Sequence, residues 1–302
     1  MNTTKYNKPL RLGALALVAA AALSACGGSD GVEPSVEPRL ELSLSGLEDL
    51  GPAAVYEGWL IVNGAPVTTG RFTVNAAGQL SQSRFAVARD KADAATTFVL
   101  TIEPAVNDVP APTDTHLLAG DFNVGKTSAS LSIAHPAALG TNFSTATASF
   151  ILTTPTSAAT DDEDQGIWFL NMVNGAPQPS VVAPTLPKGW VYEGWVVVNG
   201  KPISTGRFTK FNVADSDGGG PAAGPLGSPP FPGQDFVNPP TKLPGGMAVI
   251  SVEPELDNNP APFTLKPLVG PIGAALAPMA QTLNNTVGTG ATLPRGSVTL
   301  SR

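Results

Sequence analysis

Apolar and polar residues alternate in short runs along this chain, and Gly, Pro, Asn or Asp closes each run. A period of two is the signature of strands with one buried face. The clearest run covers residues 55–62 and resumes over 65–72, with Asn63-Gly64 between. Asn-Gly between alternating runs predicts a two-residue hairpin turn, because both turn positions need a positive φ. A regular ladder across that turn places Leu60 opposite Val67, Glu57 opposite Gly70 and Tyr56 opposite Arg71. Further strands are predicted over residues 98–102, 129–133, 145–152, 167–172 and 247–252. Only the short stretch 272–279 has a spacing that would suit a helix.

The hairpin occurs twice. Residues 55–73 read VYEGWLIVNGAPVTTGRFT and residues 191–209 read VYEGWVVVNGKPISTGRFT, with 14 of 19 positions identical. A second anchor follows: Thr101-Ile102-Glu103-Pro104 with Pro110-Ala111-Pro112 matches Ser251-Val252-Glu253-Pro254 with Pro260-Ala261-Pro262. Between the two anchors the second copy is 14 residues longer. The excess falls in the Gly- and Pro-dense stretch 215–246, which reads as an exposed insertion loop. The expected fold is all-β: two tandem antiparallel β-sandwich modules from an internal duplication. Module 1 is expected over 39–154 and module 2 over 166–302, with the acidic segment 155–165 as a linker.

The N-terminus adds an address. Lys5, Lys8 and Arg11 precede an apolar run over 12–23, the length of a signal-peptide core and short for a bilayer span. Leu23-Ser24-Ala25-Cys26 then resembles the bacterial lipobox, and Cys26 is the sole cysteine of the 302 residues. This predicts a signal peptide over 1–25, a lipidated Cys26 and a flexible tether over 26–38. Several acyl chains on one residue give effectively permanent attachment. Gly27 rather than Asp follows, which in a Gram-negative cell directs the protein to the outer membrane. The membrane is thus one expected partner, through the N-terminal lipid, and an envelope protein is another.

Composition narrows the remaining classes. A formal charge of −7 leaves no cationic footprint for nucleic acid. With its thiol acylated the chain can form no disulfide, so its core rests on burial. The 32 Gly and 30 Pro fit short strands joined by many turns.

Tyr56, Trp59, Gly70, Phe72, Glu103, Pro104 and Pro112-Thr113 form a motif set, repeated at Tyr192, Trp195, Gly206, Phe208, Glu253, Pro254 and Pro262. It resembles the extracytoplasmic β-rich domain of the anti-sigma-K factor (RskA) family. Members of that family join a cytoplasmic sigma-binding domain through one transmembrane helix to an outer domain that acts as sensor. The resemblance implies a β-rich fold and a sensing role. Here a lipobox stands where the inner domain would be, so no direct contact with a sigma factor is expected.

Motifs for chemistry are sparse. Residues 120–127 match the P-loop spacing but run into an alternating, strand-like stretch instead of a helix. His116 and His135, the only histidines, lack the further ligands of a zinc site. Asp215-Ser216-Asp217-Gly218 starts like a calcium loop without its later acidic ligands. No Gly-x-Ser-x-Gly elbow occurs. No cofactor, metal or catalytic residue is expected. The candidate binding residues are Tyr56, Glu57 and Trp59, with Tyr192, Glu193 and Trp195. On one reading Glu57 and Trp59 form an aromatic-carboxylate patch, twice. On the plainer one Trp59 fills the core while Tyr56 stacks on Arg71. The expectation is a non-catalytic envelope lipoprotein that binds or scaffolds, with an accessory relay to a separate transmembrane regulator as the alternative.

Overall fold

The computed structural model describes residue 1, residues 37–287 and residues 293–302. The expected signal peptide, Cys26 and nearly all of the tether lie outside the described residues. The first copy supplies β1 (Arg39–Ser45), β2 (Ala54–Val62), β3 (Ala65–Phe72), β4 (Arg84–Ala86), β5 (Ala95–Pro104), β6 (His116–Asp121), β7 (Ser128–Ser132) and β8 (Ala148–Leu152). The second supplies β9 (Gly166–Trp168), β10 (Leu170–Val173), β11 (Ala176–Pro179), β12 (Trp190–Val198), β13 (Lys201–Phe208), β14 (Gly233–Asp235), β15 (Met247–Pro254), β16 (Leu268–Pro271), β17 (Gln281–Asn285) and β18 (Arg295–Ser301).

These strands build two similar antiparallel modules of eight strands each, the duplicated all-β architecture that the alternation predicts. Sheet one has the order β3-β2-β5-β6-β7-β18-β1-β4, and sheet two has β13-β12-β15-β16-β17-β8-β9-β14. Each sheet rolls until its outermost strands meet, so the two halves face one another across an apolar interior. In sheet one Phe85 of β4 lies where a side chain on Gly70 of β3 would stand, 2.8 Å from that Cβ position. The β10–β11 ribbon stands apart, turned by Asn174-Gly175 with both residues at positive φ. Among the described residues the helical pieces are α1 (Arg89–Ala94) and a 3-10 turn at Glu163–Gln165. Residues 272–279 form no helix; they connect β16 to β17.

The sheets do not follow the expected module bounds. β8, inside the first repeat, lies in sheet two between β17 and β9, while β18 lies in sheet one between β7 and β1. The acidic segment is therefore a connection within sheet two rather than a linker between modules. It is tied down there: Glu163 accepts from Thr153 Oγ1 at 2.7 Å and Thr154 N at 2.9 Å. The chain crosses between sheets after β7 and again after β17.

The insertion is not wholly exposed either. Its Gly/Pro-rich first half lies largely at the surface, but Phe231, Gln234, Asp235 and Phe236 are buried and carry β14. Asp235 is held by Thr156 N at 2.8 Å and Trp168 Nε1 at 2.9 Å. A buried carboxylate with several donors is tolerated where an unpaired one would not be.

One continuous apolar core runs through both modules, from Leu40 to Leu300. The seam between them is reciprocal. Thr264 Oγ1 donates to Gly46 O at 3.1 Å, and Thr115 Oγ1 donates to Gly189 O at 3.4 Å. The loops before β2 and β12 each rest on the other copy in this way.

Candidate functional site

The site begins with a bulge. Leu60 faces Val67 and Trp59 faces Thr68, as a regular two-residue hairpin demands. Thr69 is then an extra residue, so Glu57 faces Arg71 and Tyr56 faces Phe72. The regular ladder would have put Gly70 opposite Glu57 and Arg71 opposite Tyr56. The correction has a local cause: Gly70 sits at φ 129°, a conformation open to glycine, and one inserted residue shifts every later pair. The second copy repeats it, with Thr205 extra, Gly206 at φ 111° and Glu193 facing Arg207.

Successive β2 residues point to opposite faces. Tyr56, Leu60 and Val62 enter the main core, and the Tyr56 ring stacks on Phe72 with centroids 5.5 Å apart. Tyr192 stacks on Phe208 in the same way. Trp59 lies on the other face in a small cluster with Val99, Ala119 and Ala138. Trp59 is packed among apolar side chains, as the plainer expectation had it, but in this separate cluster; Tyr56 fills the main core, and its ring partner is Phe72 instead of Arg71. Both tyrosine hydroxyls secure the loop before their own strand, Tyr56 to Glu48 O at 3.0 Å and Tyr192 to Pro184 O at 2.7 Å.

On the outer face the polar residues satisfy one another. Glu57, 6% exposed, accepts from Arg71 Nε at 2.9 Å and from Thr68 Oγ1. Arg71 Nη2 reaches on to Pro104 O at 2.7 Å and Asp108 Oδ2 at 2.6 Å, which pins the loop after β5. Trp59 Nε1 donates to Thr101 Oγ1 at 2.9 Å, and Thr101 donates to Glu103, which also accepts from Thr113 N at 2.9 Å. In the second copy Arg207 Nε meets Glu193 at 2.8 Å, Trp195 Nε1 meets Ser251 Oγ at 2.8 Å, and Ser251 donates to Glu253, which accepts from Phe263 N at 2.9 Å. Arg207 finishes on the carbonyls of Glu255 and Asp257, where Arg71 has a carboxylate.

All six candidate binding residues are therefore buried, and each copy's set is divided between the two faces of its sheet. Sequence reasoning missed Arg71, Arg207, Glu103 and Glu253 as members of the same assemblies. Their identity across the repeats was the available signal. Burial pushes the Glu253 carboxyl up to about 8, with the charges of Glu193 and Asp257 adding to it, while hydrogen bonds from Ser251 and Phe263 pull the other way. Glu103 shifts upward for the same first reason. At the seam, burial raises Glu48 to about 7 against the opposing pull of Lys266.

The other motifs have structural places. Residues 120–127 span the end of β6 and its turn into β7, where Asn123 Oδ1 accepts from Thr127 N at 2.9 Å and no helix follows. His116 Nδ1 donates to Ala137 O at 2.9 Å, and His135 Nδ1 accepts from Ala137 N at 3.1 Å. Both histidines thus hold the segment that covers Trp59. Asp215 binds Gly233 N at 2.8 Å and Asp217 N at 3.0 Å, and burial lifts its carboxyl to about 7. Among the described residues no three His, Cys, Asp or Glu side chains converge as metal ligands. An apolar surface groove of about 430 Å³ lies between Ile151, Leu170, Met172, Pro177 and Pro278.

Compared with protein families, with curated proteins and with solved structures, the chain matches none.

Proposed function

We propose that this chain is a non-catalytic, lipid-anchored cell-envelope protein whose doubled β body binds or scaffolds at the membrane surface. One observation carries the reading: both copies bury their acidic and aromatic residues as braces within the module. Glu57, Glu103, Glu193 and Glu253 each accept from groups of their own module. A general acid or base must instead reach the reacting atom of a substrate. The sequence Leu23-Ser24-Ala25-Cys26 supports the anchor.

Two measurements test the reading. Globomycin treatment, or Cys26→Ser, blocks processing and membrane retention; retention unaffected by both refutes the anchor. In pulldowns from cross-linked envelopes, Glu57→Gln with Glu193→Gln lowers stability and leaves the captured proteins unchanged. Loss of capture at unchanged stability would make these carboxylates a binding site instead. The likeness of Tyr56, Trp59, Glu103 and their second-copy counterparts to anti-sigma-K outer domains favours a second reading, an accessory that relays an envelope signal to a separate transmembrane regulator. Capture of such a regulator in the same pulldown distinguishes it.

A further inference from the structure

The two sheet orders correspond position by position, except that each module is completed by a strand from the other repeat. β8 holds in sheet two the place that β18 holds in sheet one. Their inward residues correspond as well: Ala148, Phe150 and Leu152 in β8, Gly296, Val298 and Leu300 in β18. The two repeats have thus exchanged their last strands, as two protomers do in a strand-swapped dimer.

The two exchanged strands differ in one respect. β8 is continued by β9, its neighbour in the same sheet, so it cannot leave without disturbing β9 as well. Among the described residues no further strand of either sheet follows β18. It lies between β1, with Leu42 opposite Val298, and β7, with Ala129 opposite Val298. Its buried apolar side chains are Val298 and Leu300. Withdrawing it exposes two strand edges and two side chains, and leaves the rest of sheet one paired.

We propose that β18 is a donor strand exchangeable between chains: the slot between β7 and β1 of one chain accepts β18 of a second copy. The slot is selective for this segment. A side chain at position 296 would run into Leu44, whose Cδ2 lies 2.7 Å from the Cβ position, so the incoming strand needs Gly there. Val298 and Leu300 fill the interior, and Arg302 Nε pairs with Asp93 at 3.0 Å just beyond the strand. The exchanged pair remakes every one of these contacts, so only association entropy opposes it, and rising concentration favours it. The proposal is independent of the lipid anchor.

Glu41 and Thr299 are paired across β1 and β18, and both are exposed. Opposed residues of antiparallel strands lie about 4.5–5.5 Å apart, within the span of a disulfide. The experiment uses full chains carrying Cys26→Ser, which removes the sole native thiol. The Glu41→Cys/Thr299→Cys chain oxidises within itself. When separate Glu41→Cys and Thr299→Cys chains are mixed, incubated and oxidised, a cross-linked pair of twice the chain mass forms. While it is the minor species, its fraction rises about two-fold for each doubling of concentration. Either variant alone stays at background, and adding Val298→Asp to the donor chain abolishes the pair, because the new charge would be buried. If the double variant closes but the mixture exceeds neither single variant, β18 does not exchange. If the double variant fails to close, or Val298→Asp leaves the yield unchanged, strand donation is not the route.

Discussion

Replacing Arg71 by Met tests whether the bulged hairpins are held by buried charge. Met keeps the apolar stem and removes the guanidinium, so the loss is electrostatic more than steric. Glu57 would keep only the Thr68 hydroxyl as donor, and Asp108 would lose its ion pair. Breaking a buried pair from one side costs about 3–5 kcal/mol. The Arg71 side chain is 34% exposed and its partner Glu57 8%, so solvent screening lowers the expected loss to about 2–3 kcal/mol. For a body of this size that corresponds to a melting point lower by roughly 5 °C.

The second copy provides the internal control. Removing Arg207 strands Glu193 alone, since its other partners are carbonyls, so Arg207→Met is expected to cost less than Arg71→Met. All four Trp are buried, so urea unfolding is read by fluorescence, with far-UV circular dichroism confirming that the transitions coincide. Adding Glu57→Gln to Arg71→Met recovers about 1–2 kcal/mol, because the stranded charge is gone. If Arg71→Met costs under about 0.5 kcal/mol, or the two changes are additive, the ion pair does not hold the hairpin.

Stability is expected to fall as pH rises from 4.5 towards 8. Glu253, raised from 4.5 to about 8, and Glu48, raised to about 7, keep their protons in the folded chain after the unfolded chain has lost them. The stability from each is full below 4.5 and is lost through its folded value, and Asp215 acts in the same sense up to about 7. Glu253→Gln removes up to one proton from this linkage, about 1.4 kcal/mol per pH unit, and urea midpoints at pH 5 and 8 check it. Gly70→Ala costs about 2–3 kcal/mol, combining the positive φ with a Cβ set against Phe85, whereas Gly64→Ala, with open space at its Cβ, costs about 1 kcal/mol. Equal midpoints for these two variants would show that the approach of β3 to β4 contributes nothing.

Much of the fold was legible because its determinants are local. Asn63-Gly64 and Asn199-Gly200 set their turns through φ, and the runs over residues 98–102 and 247–252 marked strands, which the fold buries on both faces. A third copy of the same signal, Val173-Asn174-Gly175-Ala176-Pro177, turns the β10–β11 ribbon and could have been read the same way. The sheet membership of β8 and β18 had no such local mark. Both are short alternating strands with similar inward residues, and neither sequence by itself names the sheet it joins. Which sheet each joins is a matter of long-range pairing, which residue patterns within a strand do not encode. The acidic run 161–164 misled for a related reason: its charge suggested solvent, yet Glu163 is held by Thr153 and Thr154.

The bulge shows how one unread residue decides a site. A glycine inside a strand signals a bulge or a close approach, and Gly70 and Gly206 are both. Ladder arithmetic that assumes regular pairing passes over that signal and shifts all later partners by one. Because strand side chains alternate, a one-residue shift moves Phe72 and Arg71 to opposite faces. With the bulge, Phe72 meets Tyr56 in the core and Arg71 meets Glu57 outside it; without it, Arg71 would lie opposite Tyr56, an aromatic ring in the apolar interior. The extra Thr69 and Thr205 leave their own hydroxyls buried without a hydrogen-bond partner. An unpaired hydroxyl is a destabilising feature of about 1–3 kcal/mol. Its presence in both copies fits a trade in which the Arg–Glu pairing that the shifted register permits outweighs the lost hydrogen bond.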